Sequence, residues 1–353
     1  MRWPPTKDIA LVLSGGGIRA MAFHLGVLRR MAEQGLLERV SHVSSVSGGS
    51  LIVGLVLLEN DLKWPSSQAF LDEILPRLRV SLSRRSLQWG ALRQLVRPRN
   101  WRFIASRANL LAAALKHEWG AKMPLGDLPA RPEWSINGTN AENGRRFRFK
   151  RHDLGDYLTG YADARRYPFA DAMAVSAAFP GGFGPLSIET SKFTWNKREW
   201  DAPKGSEAPV PPLFQTIHLY DGGVYDNLGL EPYFDAGRSA AKVEDLYILV
   251  SDAGLPLGSN ALGRAINPFR LKRVADIMSD QARALRVRTF VNYIQQAPER
   301  GGFVFIGCQV QGMDAALADR AKAFPTTLRR LNLTEFDDLV RHGAEAAENG
   351  LGA

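Results

Sequence analysis

Between Ile9 and Leu58 the chain reads IALVLSGGGIRAMAFHLGVLRRMAEQGLLERVSHVSSVSGGSLIVGLVLL. Ile9–Leu13 is an unbroken apolar run bounded by turn-forming residues, the pattern of a strand buried on both faces. Gly15–Gly17 follow, and then Ala20, Phe23, Val27, Leu28 and Met31 recur on one side of a helix, with Gly35 where that helix would stop. His42–Val46 reads as a second strand and Leu51–Leu58 as a second, largely buried helix. Strand, helix, strand, helix at this spacing predicts a parallel sheet covered on both faces, hence an α/β fold.

Further strands are expected at Trp134–Ile136, Arg145–Phe149, Thr216–Tyr220, Leu246–Val250 and Phe303–Ile306. Two stretches read as insertions into this frame: a Pro-, Lys- and Trp-rich surface loop near Ser191–Pro212, and a basic helical segment over about residues 74–117. No repeat, low-complexity tract or linker divides the chain, so residues 1–353 are expected to form one domain. With 45% hydrophobic residues it can bury a large core. The single cysteine, Cys308, excludes an internal disulfide and reads as a buried strand residue. The five apolar residues Ile9–Leu13 are too short for a signal-peptide core, and Leu51–Leu58 is far below the ~20 residues of a membrane span. The expected setting is therefore cytoplasmic, with peripheral membrane attachment.

Three motifs carry chemistry. Ser45-Val46-Ser47-Gly48-Gly49 lies between a strand and an apolar helix, where a serine at a tight turn needs small neighbours. Ser47 reads there either as a nucleophile aided by the helix dipole or as a simple helix cap. Ser14-Gly15-Gly16-Gly17-Ile18-Arg19 gathers backbone N–H groups into an anion-binding nest, suited to an oxyanion or a phosphate. Arg19 either shapes the nest or makes a packing salt bridge. Gly15, Gly17 and Ala20 also match a dinucleotide fingerprint. That reading needs an acid at the end of the second strand, which ends instead in Val46-Ser47. A phosphate-binding P-loop fails too, because no Lys-Ser or Lys-Thr pair follows the glycines. Asp221-Gly222-Gly223 follows an apolar strand, as a reactive acid at a sheet's carboxyl end would, and as an ordinary turn would.

Together these segments resemble, in order and in detail, the patatin-like phospholipase family. The resemblance runs from about residue 8 to residue 230 and includes Asn137 and the segment Ser176–Pro180, with Pro185 after it. It implies a patatin-like three-layer α/β/α fold with a mainly parallel central sheet. It also implies that Ser47 is the nucleophile and Asp221 its base, with Gly15, Gly16, Gly17, Arg19 and Gly48 forming the oxyanion hole. The sequence departs from the family pattern with Ser45 for a glycine, Ser14 where an acid is common, and Ala20 for the last glycine of the loop. None touches the two reactive side chains.

The implied activity is hydrolysis of carboxylic esters of membrane lipids, phospholipase A- or lysophospholipase-like, through a Ser–Asp dyad and an acyl-enzyme. The alternative is a catalytically degenerate module that binds lipid or nucleotide. A dyad poses a problem, because free Asp, with a pKa of about 3.9, is a feeble base for a serine hydroxyl. Asp221 must therefore be desolvated, or the developing charge strongly stabilised. The histidines His24, His42, His117, His152, His218 and His342 have no triad context and are assigned structural or surface roles. No cluster has metal-ligand spacing, so neither metal nor cofactor is expected. Some family members are expected to need an activating partner.

The balance of 45 Lys and Arg against 36 Asp and Glu gives a net charge of +9, which attracts polyanions of any kind. Between Glu73 and Glu118 there is no acid, while Arg84, Arg85, Arg93, Arg97, Arg99 and Arg102 alternate with Leu87, Trp89, Leu92, Leu95, Trp101 and Phe103. A basic amphipathic segment with Trp and Phe suits an anionic membrane interface. Nucleic acid is not expected, since no binding motif accompanies the charge.

Overall fold

The computed structural model describes residues 7–103, 106–180, 184–199, 202–203, 205–254, 257–258, 269–309 and 314–349. The opening alternation forms β1 (Asp8–Leu13), α1 (Gly17–Glu33), β2 (Val40–Ser45) and α2 (Gly48–Leu58). Leu11 and Leu13 enter one apolar cluster while Ala10 and Val12 enter another on the opposite face. The unbroken apolar run of β1 is thus explained by helices on both sides.

The basic segment holds α3 (Leu75–Arg84), α4 (Leu87–Arg93) and α5 (Arg107–Glu118). Next come β3 (Glu133–Asn140), β4 (Arg145–Phe149), β5 (Asp153–Asp156), β6 (Gly160–Asp163) and α6 (Phe169–Ser176). Then follow β7 (Leu186–Glu189), β8 (Thr216–Asp221), α7 (Gly223–Asp226) and β9 (Leu246–Asp252). The described chain ends with α8 (Phe269–Gln296), β10 (Gly301–Phe305), α9 (Ala315–Ala323) and α10 (Leu333–Asn349).

The sheet runs β10–β9–β1–β2–β3–β4–β5–β6. Its first four pairings are parallel and those beyond β3 antiparallel. The chain thus forms the expected α/β/α fold around a mainly parallel centre. The sequence reading missed β5, β6 and β7, four-residue strands that tertiary pairing holds in place of a strong local pattern. The stretch read as a loop, Ser191–Pro212, contains the two-residue strands Asn196–Lys197 and Ala208–Pro209 and is anchored by Trp195, 1% exposed.

One feature of the sheet positions the site. The first half of β3 pairs in parallel with β2, up to Ser45 opposite Ile136. Its second half pairs antiparallel with β8, with Asp221 opposite Gly138. Because β4 occupies the other edge of β3, β2 and β8 run toward each other along one edge and their carboxyl ends meet. No helix among the described residues is long and apolar enough to cross a membrane.

Candidate active site

Ser47 stands at the turn from β2 into α2 with φ 51° and ψ −119°, a strained conformation for a residue with a side chain. Its side chain does not cap α2. Instead it faces the carboxyl of Asp221 closely enough to favour that group's charged form. The Ser47 N–H donates to both the carbonyl and the hydroxyl of Ser176, each at 3.0 Å.

Asp221 is 2% exposed. Burial pushes its carboxyl up to about 7, against the opposing pull of the Gly223 N–H and the Ser47 hydroxyl. The Gly223 bond is 2.7 Å long. Backbone bonds lock the residue as well: its N–H donates to Ala178 O at 3.1 Å, and its carbonyl accepts from the Thr139 hydroxyl at 2.9 Å. A carboxyl with its pKa near neutrality, facing a serine hydroxyl, is matched to taking up that hydroxyl's proton.

The glycine nest lies against this pair. Gly16 and Gly17 have φ of 143° and 62°, open to glycine and strained for other residues. A Cβ on Gly48 would stand 2.3 Å from Gly17 O, so the amino ends of α1 and α2 converge. Among the described residues the N–H groups of Gly16, Gly17 and Gly48 have no hydrogen-bond partner. Two helix dipoles therefore point their positive ends at one small volume.

The remaining oxyanion candidates are engaged elsewhere. The Gly15 N–H donates to Asn227 O at 3.0 Å. The Arg19 guanidinium, 4% exposed, donates to Phe324 O at 2.7 Å and Ala253 O at 3.1 Å, tying the loop to the end of β9 and to the segment before α10. Burial lowers its pKa to about 10. Ser14, one of the departures, is used too: its hydroxyl accepts from Ala253 N at 2.8 Å and donates to Gly15 O at 3.2 Å.

Ser45 begins a buried chain of hydroxyls. The Trp134 indole N–H donates to Ser45 Oγ at 2.8 Å, and Ser45–Ser50 and Ser50–Ser176 contacts follow, each 2.8 Å. Ser176 then donates to Asn137 O at 2.7 Å. Because a carbonyl can only accept, every proton in the chain points from Trp134 toward Asn137. Asn137 itself staples the end of β2, donating to Ser44 Oγ and Ser45 O at 2.9 Å each.

No histidine bonds Ser47 or Asp221. His24 is fully buried; its Nε2 donates to Ser14 O at 2.9 Å and its Nδ1 accepts from Ser251 at 2.7 Å. Desolvation lowers its pKa to about 4, so it is a neutral strut beneath the glycine loop.

The sequence reading missed two contributors. A Cβ on Gly15 would lie 2.3 Å from Asn227 Oδ1 and 3.1 Å from Ser47 Cβ, so the Asn227 amide lies close to the serine. An asparagine just after Asp-Gly-Gly was the available signal. Thr327 O accepts the Ile18 N–H at 2.8 Å, and nothing local announced that contact.

A surface groove of about 820 Å³ lies between α5 and β7, lined by Asp163, Arg165, Asp171, Glu189 and Lys192 among others and by neither Ser47 nor Asp221. No group of His, Cys, Asp and Glu among the described residues could hold a metal ion.

No curated protein sequence matches the chain. Among solved structures, human GIVD cytosolic phospholipase A2 is similar with a TM-score of 0.57 at 16% identity, over 98% of this chain and 59% of that one. The same human enzyme in complex with methyl gamma-linolenyl fluorophosphonate gives a TM-score of 0.52 at 15% identity, over 98% and 58%. VipD from Legionella pneumophila gives 0.42 at 13% identity, over 98% and 67%. The chain thus spans about three fifths of the human enzyme's length. The family profile described as patatin-like phospholipase matches residues 11–233. With most of its length inside that match, the chain belongs to the patatin-like phospholipase family.

Proposed function

We propose that the protein is a lipid acyl hydrolase, acting as one domain, that cleaves carboxylic esters of membrane lipids through Ser47 and Asp221. The observation that carries this reading is the buried Asp221 carboxyl, raised to about 7 and facing the Ser47 hydroxyl, beside helix-terminal amides that are unpaired among the described residues. Asp221 takes the hydroxyl proton as Ser47 Oγ attacks the ester carbonyl carbon. The resulting oxyanion is stabilised by the N–H groups of Gly16, Gly17 and Gly48 and by the two helix dipoles. Collapse breaks the bond to the alcohol, which leaves with the proton from Asp221. Asp221 then deprotonates a water that attacks the acyl-enzyme, and its proton returns to Ser47. Arg19 and Gly15 position the loop, the Gly15 N–H and both Arg19 terminal nitrogens being bonded to backbone carbonyls.

The test is hydrolysis of a fluorogenic phospholipid, with covalent labelling by a lipid fluorophosphonate, for wild type, Ser47→Ala and Asp221→Asn. Activity and labelling in wild type, with both variants folded and lacking hydrolysis, supports the dyad. A folded wild type that neither hydrolyses nor labels would move the protein to the lipid-binding alternative.

A further inference from the structure

From Ser86 to Phe103 the chain forms α4 and two 3-10 turns, Gln94–Val96 and Pro98–Phe103. One side of this segment is buried: Leu87, Gly90 and Ala91 turn inward, and Ala91 packs with Leu110 and Ala114 of α5. The other side exposes large apolar groups, Trp89 at 60%, Leu92 at 48%, Val96 at 81% and Trp101 at 59%. Residues of this size, gathered on one short segment, mark an interaction surface.

The charges along the segment itself are of one sign. Arg84, Arg85, Arg93, Arg97, Arg99 and Arg102 are all exposed, and no acid occurs between Glu73 and Glu118. Arg93 reaches Glu118 only at 3.6 Å, Arg97 donates to Gln94 at 3.3 Å, and Arg102 lies over the Phe103 ring at 4.6 Å. Arg84, Arg85 and Arg99 have no acidic partner among the described residues.

The start of the segment and the residue before α5 are each tied to distant parts of the chain. The Gln88 N–H donates to Leu328 O at 3.0 Å, and the adjacent Thr327 O accepts from Ile18 in the glycine loop. The Ser106 hydroxyl donates to Pro185 O at 2.5 Å. α5 packs on α6, whose last residue, Ser176, holds the Ser47 N–H.

Apolar anchors interspersed with arginines along one segment complement a surface that is anionic outside and apolar beneath. We infer that this face docks on anionic phospholipid bilayers. Trp89, Leu92, Val96 and Trp101 enter the headgroup boundary, the arginines contact lipid phosphates, and the dyad is brought to the lipid ester. The inference deepens the hydrolase reading and rests on it for the identity of the partner.

Co-sedimentation with phosphatidylcholine vesicles, with and without phosphatidylglycerol, tests it on the full chain carrying Ser47→Ala, so that lipid is not consumed. Binding at least tenfold stronger to the anionic vesicles, and falling as salt is raised, is the expected result. Arg84→Glu with Arg85→Glu should weaken that binding at least tenfold, and Trp89→Ala with Trp101→Ala should remove most of it. In a wild-type Ser47 background, both pairs should still hydrolyse a water-soluble short-chain ester. Equal binding to both vesicle types, or variants that bind as tightly as the parent, overturns the docking surface. So does displacement from vesicles by a single-stranded oligonucleotide, which assigns the face to nucleic acid. A wild type that binds anionic vesicles but hydrolyses no ester overturns the hydrolase reading and leaves the docking surface standing.

Discussion

A carboxyl that burial holds near 7 keeps its proton through the range in which an exposed aspartate has lost it. Unfolded, Asp221 titrates near 3.9; folded, it titrates at about 7. Between those values the folded chain carries one more proton than the unfolded chain. The stability this group contributes is complete below ~4 and is lost as the pH climbs through about 7. The proposed dyad needs the opposite state, the free carboxylate. Activity should therefore rise with pH and level off above about 7, with the inflection of kcat/KM near that value. Asp221→Asn should lose on the order of 10²–10⁴ in kcat, the usual worth of a general base. Its melting temperature, compared with wild type, should gain steadily from acid to neutral pH, because the variant has no proton to give up there. An inflection near the ordinary aspartate value would sink the buried-base account. Ser47 was legible as a candidate because its signal is local: a serine between a strand and glycines. Its conformation at φ 51° and its approach to Asp221 were not, since both depend on what packs against the turn.

Between elements, the hydroxyl chain explains why Ser45 replaces a small glycine without loss of order. It links β3 through Trp134, β2 through Ser45, α2 through Ser50 and α6 through Ser176. In water such hydroxyls exchange partners freely; buried, each must find one, so the chain aligns four elements at the Ser47 turn. Restoring the family's glycine by Ser45→Gly orphans the Trp134 indole N–H and one side of Ser50. We expect a loss of about 1–3 kcal/mol in unfolding free energy, measured by urea denaturation, with no gain in kcat on a soluble ester. A more active or more stable Ser45→Gly would mean the chain has no organising role. The sequence located both ends of the segment that matters, Ser45 and Ser176, and attached no interaction to them. Hydroxyls carry no periodic signal, so their pairing is invisible until β2, α2 and α6 are packed.

The residues that complete the site extend beyond the family match, which ends at residue 233. α1, which presents the glycine loop, crosses α10 through a glycine contact. A Cβ on Gly26 would meet Val340 O at 2.1 Å, and one on Gly343 would meet Phe23 O at 2.1 Å. His342 of α10 bonds Ile306 O at 2.7 Å, joining the same helix to the end of β10. The C-terminal region therefore braces the helix whose amino end forms the nest. Gly343→Ala should force the two helices apart, lowering stability by about 1–3 kcal/mol, the cost of overpacking. It should also reduce kcat on a soluble ester, although the substitution lies on another helix. Unchanged thermal unfolding with unchanged kcat would separate α10 from the site.

By itself the sequence determined the elements whose signals are short-range: the doubly buried β1, the glycine turn, the serine before α2, and the acid closing β8. Each is set by apolar periodicity or by glycine's access to conformations closed to other residues, and both act over a few positions. Only the tertiary structure decided how these parts meet. β2 and β8 converge on one edge of β3 because β3 is longer than either partner needs, and that brings Asp221 to Ser47. Which amides stay free was decided the same way. Asn227 takes up the Gly15 N–H and Thr327 the Ile18 N–H, leaving Gly16, Gly17 and Gly48 among the described residues. The physical reason is common to all of these: desolvation and hydrogen-bond satisfaction belong to the packed surroundings of a group, and those surroundings come from residues far along the chain.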